Sequence, residues 1–113
     1  MGVATASELE AMIECVVRAL LSGQQDGRLF VRDLVQSRPA AAPLDIVYVL
    51  VMAAGTVEAL LASPAITGAA QDCWRMAGLV GVDLWMMERL GLPRDTTADL
   101  MAYWSTHDRY FLD

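Results

Sequence analysis

The stretch GAAQDCWRMAGLVGVDLWMMERL, residues 68–90, decides the fold. Its apolar residues recur every three and four positions, the period of an α-helix, and nowhere alternate with the period of two expected of a half-buried strand. At 100° per residue, Cys73, Ala77, Val80, Leu84 and Met87 form one stripe with alternating four- and three-residue steps, the seam of a packed helical bundle. Trp74, Gly78, Gly81, Trp85 and Glu88 form a second stripe beside it. Asp72, Arg75, Asp83 and Arg89 take most of the remaining side, which is expected to face water. Gly91 and Pro93 are the stop signals.

The second stripe carries the main question. A glycine inside a helix costs about 1 kcal/mol relative to alanine, so Gly78 and Gly81 call for a neighbour that needs close approach. The plainest reading is a helix of the same chain lying against them, with Glu88 reaching solvent or an arginine. A second reading makes Trp74 to Trp85 the contact face for another protein chain. A third seats a small molecule between the two indoles.

Working outward, the same helical period covers nearly the whole chain. A first helix is expected from about Ser7 to Gly23, with Leu9, Met12, Ile13, Val16, Val17, Leu20 and Leu21 on one face and a Glu14–Arg18 pair on the other. A short helix follows over about Gly27–Ser37, capped by Asp26 and burying Phe30, Leu34 and one of Val31 and Val35. Arg38 to Pro43 is a proline-bounded connector. The third helix spans about Leu44–Ala62, with Ile46, Val49, Leu50, Val57, Leu60 and Leu61 on one side and Gly55, Ala59 and Ala62 opposite. Almost free of charge, it reads as a helix enclosed by neighbours. Ser63-Pro64 is read as a break. A last helix opens at Thr96 or Thr97, with Asp99 in its first turn, and continues to about Phe111.

That last helix has an apolar face of Leu100, Tyr103, Trp104, His107, Tyr110 and Phe111, with the chain's single histidine in its middle. His107 is expected to be neutral and hydrogen-bonded within this face, or to act as a pH-sensitive element. Met87, Tyr103, Trp104, His107 and Tyr110 would then line a slot for a small apolar ligand between the last two helices.

The 113 residues match one α-helical domain: a compact all-α bundle of four long helices and one short one, with short connections. Hydrophobic residues make up 56% and charged ones 19%, which excludes a disordered chain. Fourteen acidic residues face eight arginines and no lysine, a net charge of −6 that argues against binding nucleic acid through its phosphates. The run from Ile46 to Ala62 sits at the lower edge of what spans a bilayer, but its flanks lack basic anchors and Pro64 follows at once, so a buried helix is expected rather than a membrane span. The first seven residues carry neither basic residue nor apolar core of a secretory signal, and the two cysteines form no CxxC pair, so a cytoplasmic protein with reduced thiols is expected.

Chemistry-bearing patterns are few. Two cysteines and one histidine fall short of the four ligands of a structural zinc site, and no Glu-x-x-His pair offers a carboxylate-bridged metal centre. The glycines do not follow a strand, so no phosphate loop is expected. Cys73 sits on the core seam and Cys15 on a weakly apolar flank, so neither reads as a nucleophile. Neither a cofactor nor a catalytic residue is expected. A chain this small buries only about two thirds of its unfolded surface, and its surplus of apolar residues points to a partner. The expectation is a non-enzymatic protein-interaction module of the regulator, adaptor, chaperone or inhibitor kind. It would pair with itself as a homodimer or bind another protein of basic character, with Trp74, Gly78, Gly81, Trp85 and Glu88 at the interface.

Overall fold

In a computed structural model the chain is described over residues 5–22, 26–60 and 63–113. Helix α1 (Ala6–Ser22) is followed by α2 (Gly27–Gln36), α3 (Pro43–Glu58), α4 (Pro64–Arg89) and α5 (Thr97–Thr106), with no strand among the described residues. One cluster of buried side chains draws on all five helices, from Met12 and Val16 of α1 to Leu100 and Trp104 of α5. The radius of gyration is 13.7 Å, close to the ~13 Å of a folded chain of about 100 residues. Helix α4 makes its most extensive packing with α3, and α1 packs on α3 and, less extensively, on α4.

Four of the five helices begin where a polar side chain satisfies a free N–H group; α3 instead starts at Pro43, which has no N–H to satisfy, with Ala42 before it. The Thr5 hydroxyl accepts from the Glu8 N–H at 3.1 Å, so α1 starts slightly before the expected Ser7. Asp26 caps α2 by accepting from the Arg28 N–H at 2.9 Å. Ser63 caps α4, and Pro64 fills the first helical position, where a missing N–H costs nothing. The break at Ser63-Pro64 does separate α3 from α4, but α4 starts directly at Pro64 and not near Gly68, which lengthens it by a turn. Thr96 and Asp99 form a reciprocal capping box at α5. At its far end α4 closes on Gly91, whose φ of +70° suits glycine. There the Gly91 N–H donates to Glu88 at 3.1 Å and the Leu92 N–H to Met87 at 2.9 Å.

The apolar faces follow the expected period, with four corrections. In α2 both Val31 and Val35 are buried with Leu34, while Phe30 stays partly exposed. In α1 Leu21 is exposed, and the expected stop at Gly23 lies outside the described residues. Helix α3 ends at Glu58 and is not enclosed: Ile46, Val49, Leu50 and Val57 are buried, but Leu44, Tyr48 and Met52 face outward and Leu60 beyond its end is exposed. Leu61 and Ala62 lie outside the described residues.

Helix α5 stops at Thr106, short of Phe111. The chain turns there so that Phe111 folds back onto Trp104, ring centroids 4.6 Å apart, and both are buried. The Asp108 carboxylate holds this turn by accepting from the Tyr110 N–H at 3.1 Å. The connector before α3 anchors the other end of α5. Pro39 and Ala41 accept from the Ala98 and Thr97 N–H groups at 3.0 and 2.8 Å, and the Thr97 hydroxyl donates to the Arg38 carbonyl.

Candidate functional site

The seam of α4 faces inward as its spacing implies: Cys73, Ala77, Val80 and Met87 are buried and Leu84 is nearly so. The neighbouring stripe is turned to the surface, with Trp74, Gly78, Trp85 and Glu88 exposed and Gly81 half-buried. Trp74 is 38% exposed and Trp85 58%. A Cβ built on Gly78 or Gly81 would meet nothing within 4 Å. The reading in which another helix of the same chain packs against these two glycines is thus overturned; both open onto solvent. Glu88 does reach an arginine, pairing with Arg94 at 2.7 Å.

Helix α3 extends this surface. Its Gly55 approaches Trp74 closely enough that an added Cβ would lie 3.9 Å from the indole Cζ2. Further along, Leu44 and Val47 of α3 share a shallow cleft of about 370 Å³ with Gly81 and Trp85 of α4, to which Glu88 and Arg94 also contribute. Tyr48 and Met52, one and two turns on from Leu44, are 47% and 43% exposed on the outward side of α3. At about 200 Å² per large side chain, the exposed parts of Leu44, Tyr48, Met52, Trp74 and Trp85 amount to roughly 500 Å², as large as the largest apolar patch of a typical monomer. The charged residues Glu88, Arg94 and Asp95 also line the cleft. Besides the Glu88–Arg94 pair, the Arg89 guanidinium lies over the Trp85 ring, 5.5 Å from its centroid.

The five residues expected to line a slot between the last two helices do not come together on one surface. Met87 and Trp104 have no exposure and Tyr103 almost none; they are core. His107 corrects a further expectation: it caps the C-terminus of α5 and is exposed, its ring stacked on Tyr103 at 5.1 Å with Nδ1 2.7 Å from the Thr106 hydroxyl. Tyr110, half-buried, meets the Phe111 ring edge-on and carries the Arg28 guanidinium over its own ring at 5.3 Å.

The polar residue that matters inside the molecule is one placed by the helical wheel on the solvent side. Asp83 is only 5% exposed, and its carboxylate accepts from the Trp104 indole N–H at 2.8 Å. Burial pushes its carboxyl up to about 6; the Trp104 hydrogen bond pulls the other way, and the nearby Asp108 charge adds to the rise. A signal for this pairing was present in the sequence. A buried tryptophan needs an acceptor for its N–H, and Asp83 stands three residues after Val80 and four before Met87, on the border of the seam. Tyr103 is shifted upward as well, by burial and then by the charges of Asp83 and Asp108.

The Cys73 thiol is held in the core. It donates to the Leu50 carbonyl at 3.2 Å, and burial pushes it up to about 11, so it stays protonated at neutral pH. Cys15 is exposed on α1. Among the described residues no group of three His, Cys, Asp or Glu side chains is placed to hold a metal ion, and no helix is long and apolar enough to cross a membrane. No protein-family model, no curated protein and no solved structure matches the chain.

Proposed function

We propose that the chain is a non-enzymatic protein-interaction module that pairs with a second copy of itself through the α3–α4 face. The observation that carries this reading is the exposed pair Trp74 and Trp85 bracketing two glycines whose Cβ positions are open. A monomer alone gains nothing from that arrangement. The glycines weaken the helix, and the indoles hold apolar surface in water. Both costs are recovered when another helix backbone crosses at the glycines and the indoles are covered.

The spacing favours a second copy over an unrelated partner. Reading Trp74, Gly78, Gly81, Trp85 from either end gives the same pattern, symmetric about the midpoint between Leu79 and Val80. Two α4 helices crossing antiparallel about a twofold axis at that midpoint bring Gly78 of each protomer to Gly81 of the other. Trp74 of each then lies beside the other's Trp85, the self-complementary contact that a twofold interface requires. A typical partner contributes about 800 Å² to a stable interface, apolar over roughly 60% of its area. The apolar surface of roughly 500 Å² estimated above, together with Glu88, Arg89 and Arg94, has that make-up.

The test replaces Gly78 and Gly81 together by leucine. Both positions face solvent in the single chain, so helical circular dichroism stays near that of the parent while the pair separates into single chains. A pair that survives the double substitution would show that the crossing lies elsewhere. The net charge of −6 leaves a basic protein as the competing occupant. Such a complex weakens steeply with salt, whereas a pair held by this mainly apolar patch keeps its mass between low and high ionic strength.

A further inference from the structure

A second hollow lies away from the α3–α4 face, where α1, α2 and the first three turns of α4 converge over Leu50 of α3. Its volume is about 500 Å³, within the roughly 300–1,000 Å³ typical of small-molecule sites. Its origin is legible in side-chain size. Gly27, Gly68 and Ala69 put almost no bulk into it, while Leu20, Phe30 and Met76 line it with larger apolar groups. A Cβ added at Gly68 meets nothing within 4 Å, and one at Gly27 meets the flexible Met76 Cε at 3.6 Å. Leu20, Phe30 and Ile66 are left half-buried around the opening, apolar surface that an occupant would cover.

The lining also specifies the chemistry of an occupant. The Cys73 thiol in the wall is already spent on the Leu50 carbonyl. Among the described residues the only other polar side chains lining the cavity are Gln71 and Asp72, both exposed at the mouth, where Asp72 stands 3.8 Å from Arg75. Among the described residues no cationic side chain lines the cavity, so a carboxylate or phosphate headgroup would find no cationic partner among them and would face the Asp72 charge. We propose that this cavity is a binding site for a neutral apolar small molecule, a ring system or branched hydrocarbon, with any polar group it carries directed to Gln71 at the mouth. The site is independent of the pairing face, since neither Trp74 nor Trp85 contributes to it.

The probe is N-phenyl-1-naphthylamine, a neutral dye whose emission rises and shifts to the blue in apolar surroundings. The site predicts saturable binding of one dye per chain, and tighter binding than the anionic 1-anilinonaphthalene-8-sulfonate. Ala69→Trp and Gly68→Leu, which fill the cavity, weaken the neutral dye at least tenfold with helical circular dichroism retained; Trp74→Ala with Trp85→Ala leaves its affinity unchanged. Non-saturable binding, or affinity that persists in a folded filled variant, or affinity lost with the tryptophans instead, overturns the proposal. A second readout needs no filling of the core. In the Cys15→Ser chain, saturating dye slows the reaction of Cys73 with N-ethylmaleimide at least fivefold, and an unchanged rate contradicts the site.

Discussion

Replacing Gly78 and Gly81 by alanine has opposite effects on the single chain and on the pair. In the single chain each added methyl points into open space, with no atom within 4 Å. Each substitution then recovers the difference in helix propensity, about 1 kcal/mol. The double variant gains about 2 kcal/mol, or roughly 10 °C in melting temperature at about 4–8 °C per kcal/mol for a domain near this size. In the pair the same methyls stand where two helix backbones meet, and the helices must move apart. Loss of that contact weakens association by at least tenfold. The assay is thermal unfolding over a hundredfold range of protein concentration, for the parent and the double variant. The parent's melting temperature climbs with concentration, because pairing stabilises the folded state by mass action. The double variant starts higher at the dilute end and climbs less. A variant that melts lower than the parent at the dilute end would mean that the glycines serve contacts within the chain. A variant that climbs as steeply as the parent would refute the crossing at Gly78 and Gly81.

Other perturbations probe the interior. Asp83 is raised from 3.8 to about 6 in the folded chain, so the native state holds this proton more tightly than the unfolded state does. Its contribution to stability is full below pH 3.8 and is lost as the pH rises through about 6, a change on the order of 3 kcal/mol at about 1.4 kcal/mol per tenfold in proton affinity. Asp83→Asn keeps an acceptor for Trp104 and removes the charge; urea unfolding shows it more stable than the parent at pH 7.5 and close to it at pH 4, and a gap that does not change with pH would contradict this. Trp104→Phe keeps most of the ring packing but strands the buried Asp83 carboxylate, costing about 1–3 kcal/mol at pH 7.5 in the same assay. Thr96→Ala opens the capping box that starts α5 and lowers stability by about 1 kcal/mol; no shift in the urea midpoint would show that the Pro39 and Ala41 carbonyls hold that end unaided.

The helices were legible because their signals are local. Asp26 and the Thr96–Asp99 box each stand where a helix starts, and the seam of α4 faces inward at every position its spacing named. The misreadings share a different cause: they depend on how far an inward-facing arc extends, which the rest of the fold decides. Asp83 belongs by charge to the polar side of α4, yet the Trp104 indole makes its place in the core acceptable. Leu44, Tyr48 and Met52 are apolar enough to belong inside, but α1 and α4 cover only part of α3. His107 has the right spacing for the apolar face of α5, and the helix ends before that spacing takes effect, because Phe111 is better placed by a turn than by another helical residue. The stripe of Trp74, Gly78, Gly81 and Trp85 was visible as a feature that asked for a neighbour. Its direction became clear only when the three-dimensional arrangement left it without one in the same chain. The cavity beside Gly27 and Gly68 had no sequence signal, since empty volume follows from how three helices meet and not from any single period.

Pairing through the α3–α4 face is tested most directly by the mass of the parent chain in solution, measured by size-exclusion chromatography with light scattering across concentrations and without detergent. The account predicts a mass of twice 12.3 kDa that falls toward 12.3 kDa only on dilution. A mass of 12.3 kDa at every concentration would contradict it.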